Sequence, residues 1–501
     1  MPLNDIIAAG RRVESHRPWS RAVITADAWC AAATRIATGE ATLLGLWGDA
    51  GAVHMGVIDE ASGDIAIATT ECPDGKFRSV GRIHAPAIRF ERAIQSLFGL
   101  QADGSPDARP WLDLDFWGVK HPLGNDSGTP QGREPYEFLP AEGEGLHQIP
   151  VGPVHAGIIE PGHFRFTANG ETVVRLEQRF GYTHKGIESL MAGATLDRAA
   201  SLAGRTSGDS TVAYSLAFAH AVEAALEVSV PPRALYLRAL MAELERLANH
   251  FGDIGAICND ASFVLMHTQC SILREKTLRL ADACFGHRLM MDRVVPGGVA
   301  NDLSQDCIAG MQAYLGETRQ VFRRLVELYD NTASLQDRTV ATGIVRPQLA
   351  RQFGAGGYVG RASGRAFDAR RRPGYAPYHT LRFEVPVLDA GDVDARVWIR
   401  IREVEQSLSL IEQIFARMPD GPVRMVIVPS GMCEGLGLVE AFRGDVLVWV
   451  RLDRDRVVRC HLRDPSWFQW PLLEVAIEGN IVADFPLCNK SFNCSYSGHD
   501  L

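Results

Sequence analysis

The sequence predicts an α+β N-terminal domain followed by a larger, mainly helical domain with small β elements. Three observations carry this reading. Apolar runs of strand length concentrate near the two ends of the chain, helical periodicity dominates residues 231–417, and a Gly-, Pro- and charge-rich stretch separates an N-terminal unit from the rest.

Residues 1–123 combine the strand-like runs ATLLGLWGDAGAVHMGVID and GDIAIATTE with the amphipathic stretch APAIRFERAIQSLFGL, which predicts a small α+β unit. The stretch GNDSGTPQGREPYEFLPAEGEG from Gly124 has the composition of a connector, and 124–148 reads as a linker. The second domain, 149–501, opens on FRFTANGETVVRLEQRF (164–180), where period-two apolar residues flank Asn169-Gly170, a hairpin signal. From 231, PPRALYLRALMAELERLANHFGDIGAI starts with prolines suited to a first helical turn. It sets Leu237, Leu240, Met241, Leu244, Leu247, Ala248 and Phe251 on one face. Further helices are expected at 267–293, 305–330 and 394–417. The last 75 residues return to the strand-like runs RMVIVP and DVLVWVRL, and VADFPL reads as a buried edge leading into a C-terminal strand or turn.

Composition excludes several classes of function. The 51 basic and 60 acidic residues give a net charge of −9, with no dense Lys/Arg run beyond Arg370–Arg372, so no nucleic-acid partner is expected. No apolar run approaches the length of a membrane span, and the first residues lack the ordered regions of a signal peptide, which predicts a cytoplasmic protein. Ten cysteines are scattered without any C-x-x-C, the usage of reduced, buried thiols.

Several stretches together resemble a family. In the first domain these are ERAIQSLFGL (91–100) and HPL (121–123). In the second they are GPVHAGIIEPGHFRF, GYTHKGIE (181–188), ELERLANH (243–250), LREK (273–276), PGGVANDL (296–303), GRASG (360–364), FEVPV (383–387) and EQSLSLIEQ (405–413). Taken in order they resemble the fused 30-kDa-like and 49-kDa-like subunits of respiratory complex I and of membrane-bound group 4 [NiFe] hydrogenases, the formate hydrogenlyase large-subunit type. The resemblance implies a complex I 30-kDa-like domain followed by a [NiFe]-hydrogenase large-subunit-like domain. It also implies an iron–sulfur partner subunit, membrane antiporter-like partners, and a place on the cytoplasmic side, peripheral to the inner membrane. NAD enters only through the family's overall reaction.

Hydrogenases of this family hold nickel and iron with four thiolates, one pair near the start of the domain and one at its end. Counting back from Glu223, the first pair falls on Ser207 and Ser210. The ending SFNCSYSGHDL aligns without a gap to the family's terminal motif and places Ser495 and Gly498 at the second pair. A serine hydroxyl is hard and protonated at neutral pH, and glycine has no ligand, so the resemblance implies no metal at this place. A separate metal site at Cys488 and Cys494 would need a further ligand such as His499.

In complex I the same cavity binds a quinone, and the resemblance transfers that role to few residues. The histidine of the first hairpin loop has two candidates, His163, the first choice, and His155, and the partner aspartate falls on Asp260. A His held by an Asp is a proton donor for one quinone carbonyl. The family's tyrosine position carries Gly208, with Tyr214 as a possible substitute, and Asp260 also suits the cap of a following helix. Glu188 matches a glutamate serving proton transfer beside nickel, or pairs with Lys185. His184, Lys185 and Arg205 match positions facing the partner's cluster. The function expected is that of a redox subunit, lacking the NiFe site, that binds a quinone or another small electron acceptor beside the iron–sulfur partner, and a catalytically silent scaffold of an ion-translocating complex is the alternative.

Overall fold

Two β-sheets, a three-stranded strap and a set of long helices make up the computed structural model, which describes residues 3–8, 10–113, 116–124, 135–155, 157, 159–429 and 431–501. The first sheet is mixed and runs in the order Gly10–Arg12, Ser20–Ile24, Ile65–Glu71, Ala52–Ile58, Thr42–Asp49. Its strands are almost continuously buried, because the helices Ala26–Ala37 and Ile88–Phe98 and parts of the second domain cover it. The amphipathic stretch foreseen around residue 90 is the helix Ile88–Phe98, closed by Gly99 in the left-handed region at φ 74°.

The connection to the second domain is strapped down where it is described. Tyr136 receives a hydrogen bond from Arg92 at 2.9 Å, and the Leu139 N–H donates to Glu177 at 2.8 Å. The strand Leu146–Val151 begins inside the stretch read as linker and pairs with His163–Asn169, the first arm of the expected hairpin. The second arm is Thr172–Arg179, with Phe166 opposite Leu176 and Gly170 at φ 59° in the turn.

The helical region follows the predicted periodicity closely. Its main members are Thr211–Ala225, Pro232–Asp260, Val264–Phe285, Gln305–Asp330 and Val393–Arg417. The third stops at Gly286, left-handed at φ 72°, rather than running on to 293. Helix Thr211–Ala225 lies directly on the strand Met432–Ala441, and only glycine permits the approach. A Cβ on Gly435 would stand 1.9 Å from the Ala221 carbonyl oxygen, and one on Gly437 2.2 Å from that of Ala217.

The second sheet orders Arg456–Arg463, Gly444–Asp453 and Met432–Ala441 antiparallel, with the N-terminal pair His16–Arg17 added in parallel at its edge. The two domains therefore share a sheet, and one apolar cluster runs from Trp29 through Phe164 to Trp470 and Tyr496. Two expectations for the last residues are corrected. RMVIVP makes only an isolated bridge at Arg424, leaving Val426 and Val428 exposed. VADFPL is a 3₁₀ turn and the start of the helix Phe485–Phe492, with Pro486 in its first turn, instead of a sheet edge.

Candidate functional site

The loop between helices Leu196–Ala203 and Thr211–Ala225 and the buried C-terminal segment meet at one place, where Ser207 lies against Ser495, with Ser210 and Gly498 close by. Ser207, Ser210 and Ser495 are each no more than 5% exposed. The Ser207 and Ser495 hydroxyls hydrogen-bond to one another at 2.9 Å. Ser495 also caps the short terminal helix by accepting from the Gly498 N–H at 2.9 Å.

Carboxylates and guanidinium groups fill the rest of the cluster. Asp209 accepts from Ser207 at 2.8 Å and Ser210 at 3.1 Å, and it pairs with Arg443 at 2.5 Å. Burial alone would raise its pKa, but Arg443 and the two hydroxyls hold it below the ordinary carboxylate value. Asp464, at the end of the last strand, accepts from the Tyr214 hydroxyl at 2.8 Å and from the Ser466 N–H at 2.8 Å. An added Cβ at residue 498 would stand 2.5 Å from an Asp464 carboxylate oxygen and 2.9 Å from the Ser495 oxygen. A nickel–iron centre takes soft, deprotonated thiolate ligands. These residues do not fit that centre, since two corners are hydroxyls in mutual contact and the fourth has no room for a side chain.

Tyr214, the possible substitute for the family's tyrosine, is buried and committed to Asp464. Cys488, Cys494 and His499 do not converge. Cys494 faces Gln469, His499 bonds Asp500, and burial pushes the Cys488 thiol up to about 11. Among the described residues, no group of three His, Cys, Asp or Glu side chains is placed to hold a metal ion.

The two residues expected to form a donor pair lie in separate surroundings. The His163 Nδ1 bonds the Gly152 carbonyl at 3.1 Å and its Nε2 accepts from Arg165 at 3.3 Å, so both nitrogens are satisfied inside the strap. Asp260 is the last residue of the helix Pro232–Asp260, not the cap of the next, which begins at Val264 after Phe263. Burial raises its carboxyl, with Lys490 and His267 as its charged neighbours. No hydrogen bond or ion pair joins His163 to Asp260. His155 is exposed, and its Nδ1 accepts from the Gly157 N–H.

Glu188 is buried and makes a salt bridge that the sequence did not suggest. One oxygen accepts from His461 at 2.8 Å and from the Leu462 N–H at 3.1 Å, and the other lies 2.8 Å from Arg459. Burial acts to raise its pKa, yet Arg459 and His461 hold it at about 2. Lys185 precedes the helix Ile187–Met191 and instead donates to the carbonyls of Arg205 and Thr206 at 2.9 and 2.6 Å. Arg205 makes a two-pronged pair with Asp292 at 2.6 and 2.7 Å, and His184 stacks on Trp117 at 4.1 Å. Lys185 and Arg205 are exposed and in contact, and His184 is half-buried.

Sequence reasoning missed a small cavity on the other side of Asp209. It encloses about 120 Å³ between helices Pro232–Asp260 and Val264–Phe285, with Glu245, Asn249, Arg274 and Met290 in its wall. Glu245 accepts from the Val212 and Ala213 N–H groups at 2.7 and 3.1 Å, and burial raises its carboxyl to about 8. The only sequence signal was the excess of charge in ELERLANH on an otherwise apolar helix.

Residues 260–434 match the family described as respiratory-chain NADH dehydrogenase, 49 Kd subunit, and residues 52–132 match its 30 Kd subunit. The chain is 31% identical to formate hydrogenlyase subunit 5 of Escherichia coli over 428 residues, 83% of this chain and 75% of that protein. It is 31% identical over 355 residues to the carbon monoxide-induced hydrogenase of Rhodospirillum rubrum, covering 69% of this chain and 97% of that one. Against the C/D polypeptide of NADH-quinone oxidoreductase from Phocaeicola vulgatus it is 27% identical over 419 residues, 78% of this chain and 80% of the relative. The chain belongs to the family that unites the complex I 49-kDa subunit with the group 4 hydrogenase large subunits, in the form fused to a 30-kDa-like N-terminal domain.

Proposed function

We propose that this chain is a nickel-free subunit of a membrane-associated, complex-I-like oxidoreductase complex that passes electrons from an iron–sulfur partner to a small acceptor such as a quinone. The observation that carries the reading is the Asp464 carboxylate standing where a side chain at residue 498 would go. A cage of thiolates has been replaced there by hydrogen-bonded hydroxyls and an ion pair, so electrons arriving at this place need another destination. Among the described residues no helix is long and apolar enough to cross a membrane, so the membrane partners would be separate antiporter-like subunits. In this reading the second domain has the hydrogenase large-subunit fold and sits peripheral to the inner membrane on its cytoplasmic side. Exposed Lys185 and Arg205, with His184 beside them, form the face offered to the iron–sulfur partner.

The cavity beside Asp209 suits the acceptor better than the His163 and Asp260 positions, whose groups are apart. Its volume of about 120 Å³ is below the ~150 Å³ that holds benzene, so a quinone ring enters only if the wall yields, and a long tail stays outside. A quinone takes up two electrons and two protons. Glu245, held protonated at neutral pH, can supply one of those protons, and Arg274 brings positive charge to the wall. The silent-scaffold reading has its own observation, the closure of Ser207 on Ser495.

The test is purification of the chain with its natural partners, followed by elemental analysis and turnover with short-chain benzoquinones. Less than stoichiometric nickel, together with quinone reduction that falls at least tenfold in Glu245→Gln, is the expected result, a barrier increase of ~1.4 kcal/mol or more. Stoichiometric nickel overturns the reading. Absence of turnover with every quinone in an intact complex replaces it by the scaffold.

A further inference from the structure

The helix that floors the cavity also carries ionisable groups into the centre of the molecule, where delivery of a proton to the acceptor makes no use of them. Glu243, Arg246 and His250 are at most 1% exposed. Glu403, from the helix Val393–Arg417, accepts from the Arg361 Nε at 2.8 Å and from the His250 Nε2 at 2.8 Å, with Arg246 3.6 Å away. Arg370 bridges Asp368 at 2.7 Å and Glu243 at 3.0 Å. Glu440 accepts from Arg361 at 2.8 Å and from the Ala369 N–H at 2.9 Å.

The charges in this cluster do not balance. Four carboxylates, Glu243, Asp368, Glu403 and Glu440, face three guanidinium groups, those of Arg246, Arg361 and Arg370. An uncompensated charge sealed from water is costly enough that a buried group titrates instead. The surroundings of each carboxylate decide where the missing proton goes. Glu403 has two guanidinium groups and an imidazole, and Asp368 has the two-pronged Arg370. Glu243 has Arg370 and Arg246 together with the hydroxyls of Tyr378 and Ser407. Glu440 contacts one guanidinium only, and it lies directly opposite Asp445 across the hairpin, a like-charge pairing that a sheet tolerates poorly. Asp445 itself pairs with Arg463 at 2.5 Å, and the Tyr375 hydroxyl accepts from the Glu440 N–H. The buried His250 Nδ1 has no partner and offers a second seat.

We propose that Glu440, with Asp368, Arg361 and the groups around them, forms a buried proton-holding site that stores one exchangeable proton behind the cavity. The exchange is a simple one, in which the Glu440 carboxylate binds a proton to give the neutral acid and releases it again, with no electron transferred. Burial, then Asp368, raises its pKa to about 7, which puts the exchange in the physiological range. Arg246 adjoins Glu245 in the chain and bonds the carbonyls of Glu440 and Ala441 at 3.0 and 3.1 Å, so charge gained at the cavity wall is felt at the cluster. The site is a property of the chain and stands whatever acceptor the cavity takes.

Infrared titration of the purified full-length chain tests it, in a Glu245→Gln background that removes the buried acid raised to about 8. A protonated-carboxyl band with a midpoint near pH 7 is expected, and it should vanish when Glu440→Gln is added. Thermal denaturation of the same pair should show Glu440→Gln folded and less sensitive to pH between about 5 and 8, because the amide mimics the neutral acid. No band titrating near neutrality in Glu245→Gln overturns the proposal without reference to the second variant. A band that persists after Glu440→Gln overturns it as well.

Discussion

Gly498→Ala should destabilise this protein although alanine favours a helix over glycine. The new Cβ would stand 2.5 Å from the Asp464 Oδ2 and 2.8 Å from its Cγ, closer than real side-chain contacts allow. Asp464 has little freedom to retreat, because one oxygen holds the Tyr214 hydroxyl and the other the Ser466 N–H, both at 2.8 Å. Displacing the carboxylate breaks a buried bond to a charged acceptor, ~1.5–3 kcal/mol, and overpacks the site by ~1–3 kcal/mol. The helical preference of alanine returns ~1 kcal/mol. The net loss is therefore ~1.5–5 kcal/mol, measured by urea denaturation of the full chain at constant m-value. The double substitution Gly498→Ala with Asp464→Ala should be less than additive, since the second change removes the clash created by the first. A Gly498→Ala chain within ~0.5 kcal/mol of the parent, the range of ordinary surface changes, would show that the site yields freely, and the steric case against a fourth ligand would go with it.

Two further outcomes follow from buried carboxyls with opposite shifts. Glu188→Gln leaves Arg459 and His461 without their anion and should cost ~3–5 kcal/mol at neutral pH. The parent's Glu188 contribution, from a carboxyl held at about 2, should be complete above its unfolded pKa and fade as the pH falls from about 4.5 towards 2, as read by acid denaturation. Glu245 behaves in the reverse sense. Its carboxyl is raised to about 8, so its contribution is complete below its unfolded value and is lost as the pH rises towards 8. Denaturation midpoints of Glu245→Gln should therefore fall less between about pH 5 and 8 than those of the parent, and a parallel decline in both would contradict the assignment.

The helices and the hairpin were legible because their signals are local. Asn169-Gly170 supplies the turn, and the apolar face of the helix Pro232–Asp260 is buried as its spacing requires. Where the reading slipped, a local signal was outweighed. VADFPL has the apolar content of a strand, but Pro486 fits a helical first turn and Phe164 and Phe166 pack on Phe485 from the side. RMVIVP has strand propensity and no strand to pair with, since its partner at Arg424 is the single bridge to Gly298. The four serine and glycine positions could be placed through their flanking motifs, and they do converge. Asp464 and Arg443 could not, because they arrive from strand ends more than two hundred residues from Ser207, and only the tertiary fold sets them against it. The His163 and Asp260 pairing failed for the same reason, as each residue finds its partners within its own neighbourhood.

The way the serine cluster is satisfied says what it does for the fold. A buried hydrogen-bonding group left without a partner costs ~1–3 kcal/mol. Here Ser207 bonds both Ser495 and Asp209, Ser210 bonds Asp209, and Arg443 neutralises Asp209 while bonding the Asn493 carbonyl. Such closure makes the cluster a structural joint that ties the first loop of the domain to its C-terminal segment. It also fixes Asp209 at the boundary between joint and cavity, in the wall that Glu245 shares. Under the proposed function, a joint that holds one wall rigid beside a carboxyl raised to about 8 lowers the ordering cost of binding and places a proton donor at the acceptor.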